Sequence, residues 1–263
     1  MSNNQTLTIA IIQYAPVWND QISNLSYLET QLENLTNSPN LVLLPEMFDT
    51  GFMSISNDIN AIALGNSITL QWMQTSAQRF NVYLCGSLTV NEQNSFYNRM
   101  ILVSPDGHIQ HYDKRHLFSI GNEQLMYTAG NERKIWNLHL FNILPLICYD
   151  LRFPVWSRNC NDYHVILLSA NWPASRQEVW EILLRARAIE NQAFVIACNR
   201  IGTDGNNIIY KGGSCAINYK GEIMAELGNE VGTLYVTLNL NQLNEFRNKF
   251  PTLKDGDNFK LMP

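Results

Sequence analysis

Four short runs in this chain stay apolar up to their last residue: Leu41–Leu44, Ile143–Cys148, Val165–Ser169 and Phe194–Asn199. None alternates polar with apolar residues, so each is expected to be a strand with both faces covered. The segments between them have helical spacing. Leu25, Leu28, Leu32 and Leu35 share one face of Asn24–Leu35, a second helix is expected over Ser67–Phe80, and Val179–Gln192 sets Ile182, Leu183, Ala186 and Ile189 along one side. Buried strands alternating with amphipathic helices imply sheets covered by helical layers, an α/β fold.

Leu7–Tyr14, Val82–Leu88 and Val231–Leu238 read as further strands. Two hairpins are expected, Phe96–Ser104 with His108–Tyr112 around Pro105-Asp106-Gly107, and Ser214–Tyr219 with Glu222–Leu227 around Lys220-Gly221. No repeat, low-complexity block or linker interrupts the 263 residues, so 1–263 reads as one domain. Residues 241–263 form a polar tail with scattered aromatics, expected to wrap the body or meet a partner subunit. At 46% apolar and 16% charged residues the chain can bury a large core, and 18 basic against 23 acidic residues, without basic clusters, give no sign of a nucleic-acid partner. Met1–Thr6 has no basic region or signal-like apolar stretch, and no run nears the ~20 apolar residues that span a bilayer. Five cysteines without a C-x-x-C pair fit reduced thiols in the cytoplasm. Of these, Cys160, Cys198 and Cys215 read as structural.

Several strands end in polar or reactive residues, namely Glu46, Cys148, Asn171 and Asn199, and in α/β sheets sites gather beyond the carboxyl ends of strands. A cysteine attacks as its thiolate and needs a base or a cation to reach that form. Histidine is the usual base, but His108, His111, His116, His139 and His164 read as exposed or satisfied residues. The first three lack an acid or thiol at a spacing that would complete a metal site. Glu46 is a better partner, because a buried strand and Pro45 lead into it. Lys114 follows the first hairpin, and taken alone it reads first as a solvent-facing lysine in a charged turn.

Leu43-Leu44-Pro45-Glu46, Tyr112-Asp113-Lys114-Arg115-His116-Leu117-Phe118 and Cys148-Tyr149-Asp150-Leu151-Arg152-Phe153-Pro154 resemble the three signatures of the nitrilase superfamily of carbon–nitrogen hydrolases, in the family's order. Agreement continues through Ala170-Asn171-Trp172-Pro173, Arg185–Gln192 and Asn199-Arg200-Ile201-Gly202. The resemblance implies a four-layer α-β-β-α sandwich, a Glu46–Lys114–Cys148 triad, a symmetric homodimer, and no cofactor or metal. In that triad Glu46 serves as general base and then acid, and Cys148 forms a thioester. Lys114 and the Tyr149 backbone N–H hold the oxyanion. Glu123 is the candidate for the second glutamate that many members use, with a solvated loop residue as its alternative.

Within the superfamily, Pro45–Phe52, Lys114–Phe118 and Asn171–Arg176 look most like the ω-amidase group, which deamidates ω-amides of small 2-oxo dicarboxylic acids such as 2-oxoglutaramate and 2-oxosuccinamate. Such a substrate needs a cation for its carboxylate. Arg176 could supply it, or could be tied to neighbouring acids. Phe52, Phe118 and Trp172 could wall a small pocket or belong to the core. Arg152 is expected to brace the turn through ionic contacts, and Arg187 to pair with Glu190 as scaffold. The motifs define thioester chemistry more than leaving group. An aliphatic amidase, carbamoylase, nitrilase or acyltransferase is therefore the alternative, and a non-catalytic interaction scaffold a further one that the intact triad disfavours.

Overall fold

The computed structural model describes residues 5–52 and 59–261, the side chains of 59–66 excepted; the first four residues and the last two of the tail lie outside the description. The first half of the chain gives strands β1 (Thr6–Gln13), β2 (Leu41–Leu43), β3 (Tyr83–Glu92), β4 (Ser95–Val103) and β5 (Ile109–Asp113), with helices α1 (Gln21–Glu33) and α2 (Ile59–Phe80). The second half gives β6 (Trp136–Leu138), β7 (Phe141–Ile147), α3 (Pro154–Ser157), β8 (Val165–Ala170), α4 (Gln177–Asn191) and β9 (Phe194–Asn199). Then come β10 (Ile201–Thr203), β11 (Ile209–Lys211), β12 (Cys215–Ile217), β13 (Ile223–Glu226), β14 (Gly232–Asn239) and α5 (Leu240–Lys249).

Two six-stranded sheets result, ordered β14-β1-β2-β3-β4-β5 and β13-β12-β9-β8-β7-β6, with β10 and β11 as a separate ribbon. Each sheet has three parallel strands at its centre, one antiparallel strand on one edge and two on the other. The strand plan is thus repeated although the sequence shows no repeat.

Alternation along the strands builds the layers. In the first sheet Ala10, Ile12, Val42, Leu44 and Leu84 face α1 and α2, packing on Leu25, Leu28, Leu32, Met73 and Ala77. Leu7, Ile9, Ile11, Leu41, Leu43 and Leu102 face the other way and join the second sheet, behind which α4 adds Trp180, Leu184 and Ala188. This is the expected α-β-β-α sandwich. Truncating a fully buried leucine such as Leu28 would cost about 2–5 kcal/mol.

The departures from expectation are local. Helix α2 begins eight residues before Ser67. Strand β3 runs on to a tight hairpin at Gln93 and Asn94, both at positive φ. The expected apolar face of α4 is the wrong one: Trp180, Leu184, Arg187, Ala188 and Asn191 are buried, while Ile182 is 58% exposed and Ile189 54%. Arg187 and Asn191 tolerate burial because they are bonded there, Arg187 to the Leu151 carbonyl at 2.6 Å and Asn191 to the Asn159 N–H at 2.9 Å. The tail opens as α5, capped by the Asn239 side chain on the Gln242 N–H. Arg247 fastens it to this chain's own body by donating to the Gln192 and Tyr163 carbonyls.

Candidate active site

The leucine run of β2 ends against Pro45, and Met47 then turns the chain at φ +47, leaving Glu46 1% exposed between the sheets. Its Oε1 accepts from Lys114 Nζ at 2.9 Å and from Asn98 Nδ2 at 2.8 Å, and its Oε2 accepts from the Asn171 N–H at 2.8 Å. Lys114, placed by the end of β5, is equally buried and is not a surface lysine. It also donates to both oxygens of Glu123, at 3.0 and 2.9 Å. Glu123 is fully buried, which removes the solvated alternative, and accepts the Phe118 N–H at 2.6 Å as well. Two carboxylates therefore share one ammonium. Burial disfavours the Lys114 charge, but Glu123 and Glu46 outweigh it and hold the ammonium well above the usual lysine range. Burial raises the Glu123 carboxyl.

Cys148 is the first residue beyond β7 and opens a short helical turn, Cys148–Arg152, at φ +43. The residue is half-buried and lines a cavity. Burial first, and then the charge of Glu46, push the thiol well above its ordinary value, against the pull of Lys114 and the Asn171 N–H. Both effects favour the neutral thiol at Cys148, beside a carboxylate. Asp150 ties its turn to the lysine segment. It accepts from the Ile147 N–H at 3.0 Å, Tyr112 Oη at 2.8 Å and the His116 N–H at 2.9 Å, and lies 2.7 Å from His116 Nδ1. Arg187 pairs with Glu190 and steadies the same turn through Leu151.

Glu46, Lys114 and Cys148 line one cavity of about 80 Å³, together with Phe52, Phe118, Tyr149, Trp172 and Arg176. Of the aromatics expected as either wall or core, Phe52 and Phe118 line the cavity, and Trp172 does both, lining it while packed into the main core. Arg176 meets no carboxylate among the described residues and lies 5.1 Å from the Phe118 ring centre. Arg152 likewise forms no ion pair there, so its expected ionic bracing is not found; it lines the cavity 5.2 Å from the Trp172 ring centre. Asp204 and Tyr210, from the β10–β11 ribbon, close another side. No histidine lines the cavity. Cys85, Cys198 and Cys215 are buried and Cys160 is at the surface, all unbridged.

The sequence reading missed Asn98, which reaches both Glu46 and Glu123, and the part played by Asn171. A signal for Asn98 existed: it occupies an inward position in β4 in step with Met100 and Leu102, where an apolar residue is the norm.

A cysteine paired with carboxylate and ammonium, between the two sheets of this sandwich, defines a class. The carbon–nitrogen hydrolase family model matches residues 8–248, and the chain belongs to that family. Among its relatives, Omega-amidase YafV of Escherichia coli is 45% identical over 97% of this chain and 98% of that protein. The 2-oxoglutaramate amidase of Bacillus subtilis is 33% identical over 94% and 96%. A CN-hydrolase superfamily protein from Xanthomonas campestris, with an arsenic adduct in its active site, superposes with a TM-score of 0.93 at 39% identity, covering 98% of this chain and 99% of that one.

Proposed function

We propose that the protein hydrolyses the ω-amide of a small 2-oxo dicarboxylic acid, 2-oxoglutaramate or 2-oxosuccinamate, through a thioester on Cys148. The observation that carries the reading is the buried Glu46–Lys114–Glu123 cluster opening, with Cys148, onto one small cavity that also presents an unpaired arginine. The near full-length likeness to Omega-amidase YafV supports the substrate class.

In this scheme the Cys148 thiol gives its proton to Glu46 as sulfur attacks the amide carbon. The oxyanion is held by Lys114 and by the Tyr149 N–H, which at the second position of a helical turn has no carbonyl behind it to bond. Collapse breaks the carbon–nitrogen bond, and Glu46 returns the proton to the departing ammonia. Water then gives a proton to Glu46 and its oxygen to the acyl carbon, and the proton passes back to the leaving sulfur. Glu123 keeps Lys114 charged and placed, and Arg176 binds the carboxylate. No helix among the described residues is long and apolar enough to cross a membrane. The unbridged cysteines favour a cytoplasmic setting. The exposed isoleucines of α4 favour a homodimer, with the tail beyond α5 reaching the second copy.

An amide panel tests this. Ammonia release from 2-oxoglutaramate should exceed that from an uncharged aliphatic amide, with an acyl adduct on Cys148 by mass spectrometry. Cys148→Ala should abolish turnover. Release that survives this substitution would overturn the proposal.

A further inference from the structure

The cavity holds a second cation. Arg152 leaves the turn after β7 and Arg176 the turn after β8, so neighbouring parallel strands deliver two guanidinium groups to one small space. Each is laid against an aromatic wall, Arg152 over Trp172 and Arg176 over Phe118. Arginines that brace this fold look different. Arg187, Arg133 and Arg247 each donate to backbone carbonyls, and the first two also pair with acids. Neither Arg152 nor Arg176 makes such a side-chain bond to a described residue.

The carboxylates of the cavity are occupied. Glu46 accepts from Lys114, Asn98 and Asn171, and Asp204 accepts from Tyr210 Oη and the N–H groups of Asn206 and Ile208. Two half-buried, unneutralised guanidinium groups call for an anion, and the planar fork of arginine suits a carboxylate.

We propose that Arg152 and Arg176 together clamp the substrate carboxylate, and that the pair makes the site favour 2-oxo acids over 2-amino acids. The proposal rests on the ω-amide reading and adds to it a second anchor and a basis for selectivity. A 2-oxo group next to the carboxylate is neutral and sits beside two cations without cost. A 2-ammonium group in that place meets two like charges, while the acids lining the cavity, Glu46 and Asp204, already accept hydrogen bonds from the protein.

The test compares 2-oxoglutaramate, glutamine and 4-oxopentanamide, which has a methyl group where the first has its carboxylate. Arg152→Gln should raise KM for 2-oxoglutaramate about tenfold or more with kcat little changed, and narrow its advantage over glutamine. It should leave kcat/KM for 4-oxopentanamide within about twofold, and Arg152→Lys should recover part of the loss. Equal losses on the acid and the neutral amide would mark a bracing residue and overturn the clamp, as would no loss on the acid. Binding of 2-oxoglutarate to Cys148→Ala, with and without Arg152→Gln, separates the two proposals. If the enzyme does not hydrolyse 2-oxoglutaramate, the ω-amide reading falls. Weakened 2-oxoglutarate binding would then still uphold the clamp, and unchanged binding would overturn it.

Discussion

Cys148 adopts φ +43, a conformation that L side chains rarely take, at the atom proposed to react. A glycine there would be relaxed, whereas an alanine would keep the strain without the thiol. Cys148→Gly and Cys148→Ala should both be inactive, yet the glycine variant should be the more stable by about 1 kcal/mol, the reverse of their order in an ordinary strand. Chemical denaturation of the two decides it. Lys114 has its own consequence. Because its folded pKa is raised, the stability it contributes is complete below the free lysine value and is lost only as pH climbs through the higher folded one. Discharge of Lys114 should therefore not shape the kcat/KM profile at neutral or mildly alkaline pH, and Lys114→Arg should leave the position of the acid limb unmoved. Glu46, Lys114 and Cys148 were legible in the sequence because each stands just past a strand in a recognisable string. Arg152 was not, because its exposure to the cavity depends on Trp172, which reaches it from the end of another strand.

Among the elements, β9 was legible to the residue, since a buried parallel strand is one unbroken apolar run. The ribbon of β10 and β11 was not, because two strands of three residues each are too short to carry a period. Helix α4 misled for a specific reason: its core face includes Arg187 and Asn191, so counting apolar residues selects the outer face. That outer face gives a prediction. Ile182 borders a groove of about 730 Å³ with Ile223 and Leu227, and if two copies meet there, Ile182→Asp should convert dimer to monomer in light scattering. The lead into β8 gives another. His164 accepts the Asn142 N–H at 3.0 Å, and burial lowers its pKa to about 4. A depressed histidine contributes stability that is complete above its unfolded value of ~6.5 and lost as pH falls toward the folded one. Because His164 is partly exposed, the loss between neutral pH and pH ~4 should be only about 1–2 kcal/mol, and His164→Gln should remove that part of the acid sensitivity.

At the scale of the molecule, the layer order followed from alternating apolar runs and helices. The matched strand plan of the two sheets did not, since many different apolar residues satisfy one buried position. The candidate site belongs to neither sheet alone. Glu46 and Lys114 stand on the first and Cys148 and Asn171 on the second, and the seam is stitched by Ser169 Oγ to the Leu44 carbonyl at 2.8 Å and Asn171 Nδ2 to the Glu46 carbonyl at 2.9 Å. Turnover is thus a gauge of docking rather than of secondary structure. In a urea titration it should vanish with the near-ultraviolet signal of packed aromatics, while any compact state that keeps strands and helices but lets the sheets part is silent. Ligand that spans the seam should act as a clasp, raising the midpoint at which the two halves separate.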